Sequence, residues 1–139
     1  MVETKRMAIV VHSGTLDLAY PPLMLAAAAG ASDMEVDMFF TFWGLNLLKK
    51  KGLKRAKLSG AWRLGTGMMK LMIKRTGMAS LPELLEVVID TSKVRLYACT
   101  ATMDIMMVKK EQLIPEVTGF MGAAAFLDIA ADCDIQLFI

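Results

Sequence analysis

A chain of 139 residues, 55% of them hydrophobic, suits one domain with a sizeable core and excludes a disordered protein. Its net charge of +2 hides an asymmetry: ten basic and no acidic residues lie between Met38 and Pro82, against six basic and fourteen acidic elsewhere. No apolar run reaches the ~18–20 residues of a membrane span, and the Met7–Val11 run is too short for a secretory core, so the chain reads as cytoplasmic.

Met7–His12 is a β-branched run closed by Ser13-Gly14-Thr15, which predicts a strand and a turn. Leu16–Ala29 is rich in Ala and Leu and stops at Gly30, which predicts a helix. Pro21 and Pro22 imply a late start or a kink near its beginning. Glu35–Phe42 is the second strand, ended by Trp43-Gly44, and Leu45–Lys51 suits a short helix. Ser80-Leu81-Pro82-Glu83 is a capping box that opens a helix to about Thr91. Lys93–Ala98 is the third strand. Thr102–Lys110 reads as a helix, with Asp104 near its start and Lys109-Lys110 at its end. A further short strand is expected near Pro115–Thr118, then an Ala-rich helix over Gly119–Asp132 and a buried last strand over Asp134–Ile139. Strand and helix alternate, so the expected class is α/β, a parallel sheet covered on both faces.

Residues 49–79 break this rhythm. They form a basic insertion rich in Met and Gly, long for a connection in a compact domain. Met68–Arg75, if helical, is a basic amphipathic helix. The segment reads as a solvated mobile loop, as a lid or docking surface formed by Lys49, Lys50, Lys51, Arg63, Lys70, Lys74 and Arg75, or as a contact for nucleic acid or an anionic membrane surface. Trp62 is its sole aromatic residue, which argues against nucleic acid.

Ligands of open parallel sheets bind beyond the carboxyl ends of the strands. There the sequence places His12, Ser13 and Gly14, then Trp43 and Gly44, then Cys99 with Thr100 and Thr102. A thiol at a helix start faces free N–H groups that favour the reactive thiolate. Cys99 therefore reads either as a nucleophile or as a small buried hydrophobe. Cys133, between Asp132 and Asp134, falls at the opposite edge of the sheet; a bond to Cys99 is not expected, and the flanking carboxylates oppose its thiolate. His12 is the single histidine, either a partner for Cys99 or a bystander. There is no zinc spacing, no phosphate loop and no Gly-x-Ser-x-Gly elbow, so no cofactor is expected.

Met7-Ala-Ile-Val-Val-His-Ser-Gly-Thr15, Phe40-Thr-Phe-Trp-Gly-Leu45, Tyr97-Ala-Cys-Thr-Ala-Thr-Met-Asp-Ile-Met106 and Gly122-Ala-Ala-Ala-Phe-Leu-Asp128 resemble the DsrE/DsrF-like sulfur-relay proteins over essentially the whole chain. The nearest subgroup is the DsrE-like one often labelled "peroxiredoxin family protein". The resemblance implies a three-layer α/β/α sandwich on a five-stranded, mainly parallel sheet, and assembly as trimers or hexamers. It implies that Cys99 carries sulfur as a persulfide or related adduct, with rhodanese and TusA-type carriers as exchange partners.

Overall fold

The computed structural model describes residues 3–139. Five strands, β1 (Arg6–Val11), β2 (Glu35–Phe40), β3 (Val94–Cys99), β4 (Gly119–Met121) and β5 (Ile135–Phe138), form one sheet in the order β4-β3-β2-β1-β5. Every pairing is parallel.

Strand alternation divides the side chains between two faces. Met7, Ile9 and Val11, then Val36, Met38 and Phe40, then Leu96 and Ala98 are buried on the first face. Helices α1 (Leu16–Ala31) and α4 (Leu81–Asp90) pack side by side over that layer. The chain steps in one direction from β1 to β4, then returns past β1 to β5. Right-handed crossovers place the returning helix α6 (Ala123–Ala131) on the other face. There the Phe126 ring stacks on Phe39 at 4.7 Å. The result is an α/β/α sandwich with one full helical layer and one thin one.

At the amino end of the second face, Asp37 is only 1% exposed. Arg95 grips it with two hydrogen bonds, Nε to Oδ1 at 2.6 Å and Nη2 to Oδ2 at 3.0 Å, and Arg6 approaches at 3.5 Å. A carboxylate this deep is tolerable only when so paired.

Local signals explain most element boundaries. Ser80 accepts the Glu83 N–H and Glu83 accepts the Ser80 N–H at 2.7 Å, so α4 begins with the expected capping box. Helix α1 starts at Leu16 and runs on through Pro21 and Pro22. Burial of Leu16, Ala19, Tyr20 and Leu23 outweighs the backbone bonds the two prolines forfeit.

Five expectations are corrected. Strand β2 ends at Phe40, because Phe42 adopts a left-handed backbone, φ 47°, and opens a 3-10 turn over Phe42–Leu48 in place of the helix expected from Leu45. The helix after Cys99 is α5 (Thr100–Ile105); the chain leaves it through Met107 at φ 50°, so Lys109 and Lys110 belong to a later 3-10 turn. Gly119–Met121 is a strand and not helix, because Tyr97, Ala98 and Cys99 pair with it. The last strand lies at the sheet edge and is largely exposed, not buried. The basic segment folds into α2 (Gly52–Arg55), a 3-10 turn over Gly60–Gly65 and α3 (Thr66–Arg75). Among the described residues no helix is long and apolar enough to cross a membrane.

Candidate functional site

Cys99 is the last residue of β3 and caps α5, with extended backbone (φ −71°, ψ 116°). Its side chain joins Ala8, Phe39, Phe126 and Cys133 in a small apolar cluster under α6, and the residue is 5% exposed. Such burial alone pushes a thiol up. The Thr102 hydroxyl and N–H, the Thr41 hydroxyl and the Ala101 N–H oppose it and together hold Cys99 below the ordinary thiol value.

The donors are themselves fixed. Thr102 is buried; its hydroxyl accepts the Phe42 N–H at 3.0 Å and lies 3.1 Å from the Thr41 hydroxyl. The left-handed backbone of Phe42 aims that N–H. The two hydroxyls share one hydrogen bond in which either can donate, so one of their two protons is left for sulfur. Three elements therefore converge on one sulfur atom: the end of β3, the first turn of α5 and the turn after β2. Thr100, at the start of α5, is exposed.

The loops after β1 and β2 interlock beside this centre. Gly44 donates to the His12 carbonyl at 3.1 Å. A Cβ at Gly44 would overlap the Val11 carbonyl, and one at Gly14 the Trp43 carbonyl. Ser13 is buried, its hydroxyl 3.2 Å from that of Thr15, and Trp43 projects into solvent. His12 follows β1, with β2 between it and Cys99, and its ring rests on Phe138 at 4.7 Å. The structure thus joins Ser13, Gly14, Trp43 and Gly44 into one wall and sets His12 on the β5 side.

Cys133 is a free thiol like Cys99 and donates to the Ile129 carbonyl at 3.4 Å. Burial pushes it up; the nearby charges of Arg6, Asp37, Arg95 and Asp132 act in both directions and leave burial in control. The flanking carboxylates are therefore not the main cause of its suppression.

Across the Trp43 wall lies a cleft of about 970 Å³. Lys49, Lys50, Arg63 and Lys70 line it, whereas Lys51, Lys74 and Arg75 do not. Lys74 borders a second, more apolar cleft of about 690 Å³ between α1, α3 and α4, with Tyr20, Ile73 and Leu81.

The profile of the DsrE/DsrF/DrsH-like family matches residues 3–62 and 53–138 of this sequence. The chain belongs to that family. Among DsrE/DsrF/DrsH-like proteins, it is 37% identical to the sulfur carrier protein DsrE2 of Allochromatium vinosum, over 99% of this chain and 100% of that one. It is 32% identical to the uncharacterized protein YrkE of Bacillus subtilis, over 99% and 98%. The crystal structure of the ychN protein from E. coli superposes with a TM-score of 0.69 at 14% identity, covering 98% of this chain and 100% of that one, and so shares the fold.

Thr41 and Phe42 lie within the Phe40–Leu45 motif but were not among the expected site residues. Both sit at a strand end, the one signal that could have drawn them in. Their bonds to Thr102 span 61 and 60 residues, so no local pattern reveals them. Lys54, Arg55 and Lys57 also line the large cleft beyond the residues the sequence had marked.

Proposed function

We propose that this protein is a sulfur carrier in which the Cys99 thiolate holds sulfane sulfur between a donor and an acceptor. The thiolate attacks the outer sulfur of a donor persulfide. A bond from Cys99 Sγ to that sulfur forms, the donor's S–S bond breaks, and the electron pair leaves with the donor thiolate. An acceptor thiolate then attacks the same outer sulfur and regenerates the Cys99 thiolate. No external oxidant or reductant enters.

The observation that carries this reading is the place of Cys99 at the junction of β3 and α5, where the neighbouring Thr102, Thr41 and Ala101 groups hold its pKa down against burial. The full-length similarity to a protein named a sulfur carrier supports it. Phe42, on the turn after β2, and Ile105 and Met107, at the end of α5, are exposed apolar side chains that suit a docking protein. Because Cys99 is nearly covered, in a cluster with Phe39 and Phe126, docking has to uncover it before attack. His12, Ser13, Gly14, Trp43, Gly44 and Thr100 are proposed as flanks of the approach, and the basic segment as a docking surface. In this reading the partners are rhodanese and TusA-type carriers, the assembly is a homo-oligomer, and the compartment is the cytoplasm.

The burial of Cys99 favours a second reading, a non-catalytic binding module in which the thiol is structural. One experiment separates them. After exposure to a sulfane-sulfur donor, intact-mass analysis is expected to show a gain of about 32 Da per sulfur atom. The gain disappears in Cys99→Ser and persists in Cys133→Ser. Native protein that gains no mass, beside a control carrier that does, sinks the transfer reading.

A further inference from the structure

Cys99 is not part of the lining of the large cleft, although Ser13, Gly14 and Trp43 border both the cleft and the approach proposed above. Its walls come from separate stretches of chain: Lys49 and Lys50 before α2, Lys54 and Arg55 in α2, Lys57 after it, and Arg63 and Lys70 from the facing 3-10 turn and α3. Seven cationic side chains thus border one space of about 970 Å³, and no carboxylate lines it among the described residues. Lys70 reaches back to donate to the Lys54 carbonyl at 2.9 Å, tying α3 to α2 across the opening. Buried Ser13 and Thr66 also line the cleft, with Gly14 and Thr15 leading into α1, beside apolar Ala56 and Leu58. Asp17, in the first turn of α1, is not part of the lining.

Like charges gathered around a concavity repel one another, and a bound anion relieves that repulsion. We propose that this cleft binds a small polyanion bearing at least two phosphate-type groups. The volume lies in the range of small-molecule pockets, about 300–1,000 Å³. Cations lining a concavity suit a compact ligand, whereas a flat acidic protein surface would meet only the rim. Arg55 and Arg63 supply planar forks that match phosphate oxygens.

Pyrophosphate is the probe, titrated calorimetrically into the full chain. Trp43 lines the cleft, so quenching in a Trp62→Phe background reports occupancy independently. One pyrophosphate is expected per chain, with binding weakening steeply between about 50 and 200 mM salt. Lys50→Gln with Arg63→Gln, both exposed positions, is expected to weaken binding by about tenfold or more. Cys99→Ser is expected to bind as native protein does, so the result stands or falls apart from sulfur transfer. Absence of saturable binding at low salt overturns the proposal, as does binding indifferent to the double substitution. A poly-glutamate peptide that binds where pyrophosphate does not also overturns it, and gives the cleft to an acidic protein instead.

Discussion

The hydroxyl of Thr102 satisfies the Phe42 N–H, touches the Thr41 hydroxyl and stabilises the Cys99 anion. Thr102→Val keeps the shape and removes all three roles. The part-buried Phe42 N–H loses its acceptor. The thiol loses a donor to its charged form, so its pKa rises. In a Cys133→Ser background, alkylation by iodoacetamide is expected to follow a single titration whose midpoint lies below the ordinary 9.0 in native protein and moves upward in Thr102→Val. Thr102→Ser is expected to restore the midpoint. Because the folded value is depressed, the thiolate's contribution to stability is fully present above the unfolded value and is lost as pH falls through the folded one. The stability gap between native protein and Thr102→Val is therefore expected to widen as pH rises toward 9.0, which urea titrations at several pH values would show. An unchanged alkylation midpoint would remove Thr102 from the donor set. Cys99 itself was visible in the sequence, because a cysteine between a β-rich run and a helix start is a local pattern. Its electrostatics were not, because Thr41 comes from another strand end.

Gly44 and Gly67 show how one substitution changes sign with the element that holds it. At Gly44 an added methyl meets the Val11 carbonyl, so Gly44→Ala has to push the Phe42–Leu48 turn away from the end of β1. Such overpacking costs about 1–3 kcal/mol, and the shift would also disturb the Thr41 and Phe42 contacts to Thr102. At Gly67, inside α3, an added methyl meets nothing within 4 Å, and alanine favours a helix over glycine by about 0.8–1.0 kcal/mol. Equilibrium urea unfolding is expected to give a lower midpoint for Gly44→Ala and an unchanged or higher one for Gly67→Ala. A native midpoint in Gly44→Ala would show that the two loops are not interlocked. Elements with strong local signals were legible: the Ser80 box set the start of α4, and the β-branched runs set β1 and β3. Elements made by partners were not. Gly119–Met121 reads as part of an Ala-rich helix until β3 supplies its pairing, and the stop after Ile105 depends on left-handed Met107, which composition does not reveal.

The whole molecule has unequal sides. Helices α1 and α4 cover one sheet face, whereas α6, nine residues long, is the main cover of the other. The α/β class followed from alternating strands and helices, but strand order did not, since adjacency in a sheet is not written in spacing. That order places β5 at an edge, so Ile135 and Phe138, which read as core, are exposed while Leu137 packs on the core. Phe138 is 71% exposed and Leu127 on α6 is 67% exposed. Both line a shallow cleft with Val10 and Ala130 on this thinly covered side. Large apolar side chains gathered around one depression are costly to leave in water, and a second copy of the chain would cover them. Sedimentation velocity is expected to show native protein as an oligomer of the 15.3 kDa chain. Leu127→Asp with Phe138→Asp is expected to yield a monomer with unchanged far-ultraviolet dichroism, because desolvating two carboxylates opposes association while both positions lie outside the main core. A native protein that stays monomeric up to its solubility limit contradicts this assignment. An oligomer indifferent to both substitutions moves the contact to another surface, with exposed Phe42, Ile105 and Met107 the next to be tested.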